Sequence, residues 1–420
     1  MGPPDQRTPG RPHVGFVTDS FLDTRQELFE GGAERHLLHL ATAAKGLGAT
    51  VTVYQRAAKA WESSYRGIRV VAMPGPRLRG GRALIKCALR EGCTHLHFQY
   101  LNQVPWMVKG VYVTATNHGV YWDIPYVDRY RSWYPGGRLA AILLPGWRFR
   151  ERHRCLRAVG RCERVLATDS SLLRLIQSNR PGLRLRVEVV LNFTDLPETS
   201  EASPEHHPAL QPLIAARRQG AIVVLVPRNL SFVRGAAWLP EIVQQTVPVT
   251  PDGRACHFFL TGAAVNVYGA GSRYRRLFDR QLSSVSAEAG ARLHLLDGVP
   301  HALMRAAYEA ADIVLIPTFA YEATSLSAIE AMGAGRPVVA TNVGGLNDLV
   351  ADHVTGLLAP PDPGALAAAV AELARDSELR SRLGAEGRRR VSSMFGEEHW
   401  RGRAESFGRR SGWAAAEESA

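Results

Sequence analysis

The stretch from Ile313 to Val350, IVLIPTFAYEATSLSAIEAMGAGRPVVATNVGGLNDLV, contains an apolar run, a polar loop, a helical pattern and a second apolar run. The first run, IVLI, is short, continuously apolar and rich in β-branched residues, which is typical of a buried strand in a parallel sheet. A helix is predicted from near Ser325 to Met332, and two glycines end it before the next strand at 337–340. Strand, helix and strand in this order predict a βαβ unit.

The same alternation continues on both sides of this stretch. Strands are predicted at 13–18, 51–54, 95–98, 111–114, 164–167, 221–226 and 257–260. Because strands separated by helices pair in parallel, the pattern predicts an α/β protein of two doubly wound domains that face each other across a central cleft. The predicted ranges are a flexible tail at 1–12, a first domain at 13–195, a proline-rich linker at 196–212, a second domain at 213–395, and a C-terminal helix and tail at 396–420.

The charge of the chain is concentrated in its first half. The net charge is +12, and residues 1–200 contain 29 basic against 16 acidic residues. A dense arginine run lies between Arg148 and Arg164. Two interpretations stay open: a solvated helix face, or a surface that contacts anionic membrane lipid or another acidic partner. Nucleic acid is not an expected partner, because no helix-turn-helix, zinc-ligand spacing or RNA-binding aromatic motif is present.

Several features argue for a reduced, cytoplasmic location, with at most peripheral contact with the inner face of the membrane. The first twelve residues lack the apolar run of a signal peptide, and the apolar run 139–144 is far too short to span a bilayer. The five cysteines are scattered and form no CxxC pair, so we expect free thiols and no metal site.

Two glutamates stand out in the stretch from 313 to 350. Glu322 lies in the predicted loop, and Glu330 lies on the helix stripe of Leu326, four residues before it. Carboxylates are rarely buried without a partner, so an inward Glu330 is expected to bind either a hydroxyl-rich ligand or a protein group such as an arginine. Thr324 or Ser325 is expected to cap the helix, whose amides and dipole would attract an anion such as a diphosphate.

This segment resembles the Glu-x7-Glu signature of retaining glycosyltransferases of family 4, which have the GT-B fold of two Rossmann-like domains. The resemblance implies that Glu330 holds the ribose hydroxyls of a nucleotide and that Glu322 contacts the transferred sugar. It also implies that amides around Thr324, Ser325 and Leu326 touch the sugar or the diphosphate.

A second segment, VLVPRNLSFVRG at 224–235, resembles the strand and loop in which this family grips the donor phosphates. The resemblance assigns that role to Arg228 and Arg234. Two guanidiniums and a helix N-terminus would stabilise the negative charge that develops on the departing phosphate. Either arginine alone is also consistent with a surface salt bridge.

The first half of the chain carries weaker similarities. The turn Gly31-Gly32 resembles the glycine turn of the family, which makes Gly32 a candidate donor contact. His118 matches the histidine that faces the donor sugar, and a capped loop histidine is the alternative. The turn from Asn192 to Asp195 also has a counterpart in the family and is interpreted as structural.

The resemblance implies retaining transfer of a sugar from a nucleotide diphosphate sugar, with UDP expected, to a hydroxyl acceptor. No cofactor or metal is expected, since the sequence has no Asp-x-Asp motif. The alternatives are a nucleotide-sugar epimerase or a phosphorylase-like enzyme of the same fold, or a basic membrane-binding protein that has lost catalysis. With four lysines, all before residue 110, a pyridoxal-dependent phosphorylase fits poorly.

The acceptor is not identified by the sequence. Loops 19–30 and 120–137 are expected to contact it. The second loop contains six aromatic residues, which could form a stacking platform or pack the loop: Tyr121, Trp122, Tyr126, Tyr130, Trp133 and Tyr134.

Overall fold

Strands and helices alternate from His13 to Arg410 in a computed structural model. It describes residues 11–28, 32–75, 80–105, 108–125, 127–134, 136–194, 207–247, 249–262, 272–296 and 299–415. Most of the predicted tail and of the predicted linker lies outside these residues.

The first sheet has the order β3-β4-β2-β1-β5-β6-β7-β8. Its strands are β1 (His13–Val17), β2 (Thr50–Ala57), β3 (Trp61–Tyr65), β4 (Ile68–Pro74), β5 (His95–Phe98), β6 (Tyr112–Asn117), β7 (Arg164–Ala167) and β8 (Val187–Val189). The helices of this half are α1 (Gly32–Gly46), α2 (Gly80–Arg90), α3 (Ala140–Val159) and α4 (Ser171–Asn179). All its described pairings are parallel except that of β3 with β4.

The antiparallel pair β3–β4 was not predicted from the sequence. Arg66 and Gly67 connect the strands, and both have positive φ angles of 51° and 72°. A two-residue turn of this kind matches the twist of a hairpin. Because arginine rarely occupies this conformation, the dipeptide Arg-Gly gave no hairpin signal.

The second sheet has the order β11-β10-β9-β12-β13-β14, and its described pairings are all parallel. Its strands are β9 (Ile222–Asn229), β10 (Cys256–Gly262), β11 (Leu293–Leu295), β12 (Ile313–Ile316), β13 (Val338–Thr341) and β14 (Gly356–Ala359). Its helices are α5 (Gln211–Arg218), α6 (Leu239–Gln245), α7 (Arg273–Leu282), α8 (Ala287–Ala291), α9 (Met304–Ala310), α10 (Leu326–Gly333), α11 (Leu346–Leu349), α12 (Pro363–Arg375) and α13 (Ser377–Met394). The central strands β9 and β12 are buried almost throughout, as expected for a sheet with helices on both faces. The prediction of two doubly wound α/β domains is confirmed.

The compact units differ from the predicted domain ranges at residues 119–150. This segment, predicted as part of the first domain, belongs to the second unit with 193–397. Tyr130, Trp133 and Tyr134 are buried in the same hydrophobic cluster as Phe232 of that unit. The predicted range was wrong here because burial of these aromatic rings, rather than the order of elements, assigns the segment.

The C-terminal segment also differs from its predicted range. Residues from Glu398 onward belong to the first unit, which otherwise comprises the chain up to His118 and Glu151–Asn192. The helix α14 (Glu397–Arg410) buries Phe407, and Trp413 beyond it lies 5.6 Å from the ring of Phe16 in β1. The segment predicted as a helix and tail is therefore part of the first hydrophobic core. In the described part of the chain, no helix combines the length and apolar character needed to cross a membrane.

Candidate active site

The second sheet changes its winding direction between β9 and β12. Strand β9 pairs with β10 on one side and with β12 on the other, so the chain leaves these neighbouring strands in opposite directions. Ligands of doubly wound sheets bind at the carboxyl ends of strands at such a switch point. Arg228 is the penultimate residue of β9, and the loop carrying Glu322 directly follows β12. The sheet topology therefore brings two separate predicted motifs to one edge.

Backbone contacts fix the loop that carries Glu322. The amide of Phe319 donates to the carbonyl of Val233 at 2.9 Å, and the amide of Gly345 donates to the carbonyl of Glu322 at 2.8 Å. Gly344 has a φ of 52°, and a Cβ atom there would lie 2.0 Å from the same carbonyl oxygen. This close approach of two backbones explains the glycine that follows the second predicted strand.

Aromatic rings pack against Phe319 in the loop that carries Glu322. The ring of Phe232 lies 4.3 Å from that of Phe319 and 4.7 Å from that of Tyr134. Trp133 stacks on Phe232, and its indole donates to Gln281 at 3.1 Å. Of the two alternatives for the aromatic loop, these rings therefore pack the protein rather than form a stacking platform. Tyr126 lies outside the described residues.

Arg228 is buried and points to the start of α10. Its Nη2 atom donates to the Ser325 hydroxyl at 2.9 Å and lies 3.3 Å from Oε2 of Glu322. Burial lowers the pKa of the guanidinium, and the carboxylate of Glu322 opposes that effect. Arginine stays protonated in proteins, so a positive charge is held inside the protein beside one carboxylate.

Glu322 accepts from several donors at once. Arg234 forms a charged hydrogen bond to its Oε2 atom, and the hydroxyl of Thr318 donates to the same oxygen at 2.8 Å. Burial raises the pKa of Glu322, but Arg228 and Arg234 outweigh burial and the pKa is lowered overall. The carboxylate is thus ionised and orients both guanidiniums.

The two arginines differ in their exposure to solvent. The side chain of Arg228 is almost fully buried, whereas about a third (35%) of the Arg234 side chain is exposed. A ligand at the surface would therefore contact Arg234 directly, while Arg228 is enclosed by protein. Together they place positive charge at the first turn of α10, where backbone amides lack acceptors within the helix.

The cap of α10 differs from the prediction. Ser325 is the N-cap residue with an extended backbone, but its side chain makes no capping hydrogen bond and instead accepts from Arg228. The prediction that the Ser325 side chain caps this helix was wrong, because a buried guanidinium competes for the same hydroxyl. Thr324 is buried beside it, and Leu326 is the first residue of the helix.

Glu330 points inward from α10 and is nearly buried. The hydroxyl of Tyr308, on α9, donates to its Oε2 atom at 2.8 Å, and Nε2 of His301 lies 3.8 Å from Oε1. Burial and the adjacent carboxylate raise the pKa of Tyr308 well above its usual value, so this phenol stays a donor. The protein partner that sequence reasoning expected for Glu330 is thus a tyrosine rather than an arginine.

The candidates of the first unit lie in a different setting. Gly32 is the first residue of α1, and Gly31 lies outside the described residues. His118 follows β6, and its Nε2 atom lies 3.0 Å from the side-chain amide nitrogen of Gln99. Burial lowers the pKa of His118 to about 4, so the imidazole is neutral at physiological pH.

Sequence reasoning missed two residues of the second-unit cluster. Thr318 and Tyr308 donate to the two glutamates. Thr318 had a detectable signal, since it is the second residue after a buried strand at the carboxyl edge. Tyr308 had none, because an aromatic residue on an amphipathic helix is normally core. Within the described residues, no three His, Cys, Asp or Glu side chains are grouped to hold a metal ion.

The chain is similar to known glycosyltransferases. A family described as "Glycosyl transferases group 1" matches residues 223–376. Glycogen synthase of Mycobacterium tuberculosis is 25% identical over 409 residues, covering 87% of this chain and 87% of that protein.

Solved structures share the fold. Sucrose-phosphate synthase of Thermosynechococcus elongatus superimposes with a TM-score of 0.70 at 20% identity, covering 95% of this chain and 99% of that one. The Anabaena protein HepE in complex with UDP-glucose gives a TM-score of 0.64 at 17% identity, covering 95% and 99%. The predicted GT-B fold is confirmed, and the chain is a glycosyltransferase. The roles of the individual site residues stay predictions.

Proposed function

We propose that this enzyme transfers a sugar from a UDP-sugar to a hydroxyl acceptor with retention of anomeric configuration, without a metal ion, in the manner of family 4. The observation that carries the proposal is the convergence of Arg228 and Arg234 on Glu322 at the first turn of α10. A buried cation at a helix N-terminus, at a sheet switch point, suits a diphosphate.

The chemistry follows from the placement of these charges. When the bond between the anomeric carbon and the phosphate oxygen breaks, its electron pair stays on the β-phosphate. Arg228, Arg234 and the first amides of α10 would stabilise that charge as it develops, which is where electrostatic catalysis acts most strongly. The acceptor oxygen would then attack the same face of the sugar and pass its proton to the departing phosphate.

The two glutamates would have separate tasks. Glu322 is held by Arg228, Arg234 and Thr318, so one carboxylate fixes the direction of both guanidiniums and borders the sugar. Glu330 lies about one helical turn after the first residue of α10, where its carboxylate would accept from the ribose hydroxyls. That UDP is the nucleotide is supported by the structural similarity to HepE, which was crystallised with UDP-glucose.

The acceptor would enter through the first unit. A cavity of about 610 Å³ lies at the carboxyl ends of β1 and β5, where the first sheet changes its winding direction. Thr18, Asp19 and Tyr100 line it, together with the guanidinium-bearing residues Arg82 and Arg154. Hydroxyl, carboxylate and guanidinium groups at a switch point suit a polar acceptor.

A donor experiment tests the proposal without knowledge of the acceptor. The melting temperature of the protein should rise with UDP and UDP-glucose, and less with GDP or ADP, because a ligand of the folded state stabilises it. Arg228→Ala and Glu330→Ala should each remove most of the rise. Slow hydrolysis of UDP-glucose, followed by proton NMR, should release α-glucose first.

Three results would contradict the proposal. Unchanged UDP affinity in both variants would show that Arg228 and Glu330 do not bind the donor. Release of β-glucose as the first product would show that the anomeric configuration is inverted rather than retained. Conversion of the donor alone into a different nucleotide sugar would identify an epimerase instead.

A further inference from the structure

The start of α3, together with Leu139 just before it, exposes large apolar side chains to solvent. Leu139, Ile142, Leu143 and Phe149, which we name the apolar stripe, are 61%, 75%, 64% and 64% exposed. Large apolar side chains exposed singly are common, but a contiguous group of them marks a binding surface.

The spacing of the stripe places its members on one side of the helix. Positions 139, 142, 143 and 149 follow intervals of three, one and six residues, which on a 3.6-residue repeat fall on a single face. The opposite face packs inward, since Ala140 is buried and Leu144 packs against the hydrophobic core of the second unit. The stripe is therefore the solvent-facing side of a helix whose other side packs against the core of the second unit.

Arginines flank the stripe at both ends. Arg138 precedes it and Arg150 follows it, and both are exposed. Arg148 is half-buried and pairs with Asp123 at 2.6 Å. The sequence from 138 to 150 contains no acidic residue, and Glu151 just beyond it is buried. An apolar face bordered by guanidiniums is the composition of helices that lie in a lipid interface.

We propose that the apolar stripe and its flanking arginines bind the surface of an anionic phospholipid bilayer. The apolar side chains would enter the boundary between headgroups and acyl chains, and the arginines would extend to the lipid phosphates. Charge complementarity selects this partner over a second copy of the chain, because two copies paired through this face would place arginine against arginine. The inference is independent of the donor site and of the proposed reaction.

Vesicle sedimentation with the full chain tests the proposal. The protein should pellet with vesicles of phosphatidylcholine and phosphatidylglycerol in a ratio of about 7:3 at low salt, and much less with phosphatidylcholine alone. Raising the ionic strength to about 0.5 M should weaken the binding, since the Debye length then shrinks to a few ångströms. The double variant Ile142→Ser, Leu143→Ser should bind at least about tenfold more weakly, because it withdraws apolar groups from the bilayer.

The matched control is Leu185→Ser, Val354→Ser, which removes exposed apolar side chains elsewhere (86% and 51% exposed). It should bind vesicles like the wild type, and both double variants should keep the wild-type melting temperature and UDP affinity. Three results would overturn the proposal: no binding of the wild type to anionic vesicles at low salt, equal binding of both double variants, or a wild-type dimer that the Ile142, Leu143 double variant dissociates.

Discussion

The two sheets bury different kinds of polar groups near their carboxyl edges. In the first unit, His97 is fully buried between the hydroxyls of Thr114 and Thr116, each 2.9 Å from a ring nitrogen. In the second unit, Arg228 and Glu322 are both buried and paired. Burial has made the histidine neutral, whereas the ion pair has kept both partners charged.

The difference bears on which edge binds an anion. The desolvation free energy of a buried ion pair offsets much of the attraction between its charges, so such a pair contributes little to stability compared with apolar packing. A neutral histidine held by threonines carries no such cost. The buried charges at the carboxyl edge of the second sheet therefore argue for a charged ligand that binds there, and not at the neutral histidine of the first sheet.

The largest effect is expected for Arg228→Met. The change removes the buried cation but keeps most of the side-chain volume, so kcat/KM for the hydrolysis of UDP-glucose should fall about 1000-fold, as for loss of one main stabilising group. Steady-state kinetics of UDP release from UDP-glucose, with water as the acceptor, measures this fall. Arg375→Met, which replaces an exposed arginine at the end of α12, is the control and should change kcat/KM by less than about twofold. A fall in kcat/KM of less than about tenfold for Arg228→Met would show that the buried charge at the second edge is not needed for the reaction.

The sequence predicted much of this site because its signals are local. Glu322 follows a recognisable buried strand, and Ser325 and Glu330 lie at the start of and within the helix predicted after it. The contacts of Arg228 with Ser325 join residues 97 positions apart, and no local pattern specifies such a pair. The return of Trp413 to the first core was missed for the same reason, since tertiary burial rather than periodicity decides it.

The next largest effect is expected for Gly344→Ala. The new Cβ would lie 2.0 Å from the carbonyl oxygen of Glu322, so the loop must shift, and the free energy of unfolding should fall by about 3 kcal/mol. Gly220→Ala is the matched control, because its φ is also positive at 80° but nothing lies within 4 Å of the new atom. It should cost about 1 kcal/mol from the backbone conformation alone. Denaturant unfolding measures the loss of free energy of unfolding in both variants. Equal losses would mean that the close contact with the Glu322 carbonyl does not destabilise Gly344→Ala.

A third prediction concerns pH and the first unit. Burial lowers the pKa of His97 to about 3, whereas an unfolded histidine has a pKa of 6.5. Between these values the unfolded state binds more protons, so the free energy of unfolding falls as the pH drops, by about 2 kcal/mol for His97 at pH 5. Burial also lowers the pKa of His36 well below its usual value, which adds to the loss.

Hydrogen exchange measured at pH 7 and pH 5 tests this prediction. After correction for intrinsic exchange rates, peptides from β1, β5 and β6 should lose protection at pH 5. Peptides from β12 and β13, which contain no histidine, should change less. Equal loss in both sheets would show that the buried histidines do not distinguish the two units.

The smallest expected effect compares two hydrogen bonds, each between a buried tyrosine and a glutamate. The Tyr308 hydroxyl donates to Glu330 at 2.8 Å in the second unit, and the Tyr54 hydroxyl donates to Glu91 at 2.6 Å in the first. Tyr308→Phe and Tyr54→Phe each remove the hydrogen bond to the glutamate and should each lower the free energy of unfolding by about 1 kcal/mol.

Kinetics should separate the two variants. If Glu330 binds the ribose, its loss of orientation in Tyr308→Phe weakens ground-state and transition-state binding alike, so KM for the donor should rise about fivefold while kcat stays unchanged. Tyr54→Phe should leave both constants unchanged. Glu91 pairs with Arg69 and is not assigned any contact with the nucleotide sugar. A fall in kcat for Tyr308→Phe would move Glu330 from nucleotide binding to the reacting centre. An unchanged KM would instead mean that Glu330 has a structural role like that of Glu91, and the contrast between the two sheets would then rest on the arginines alone.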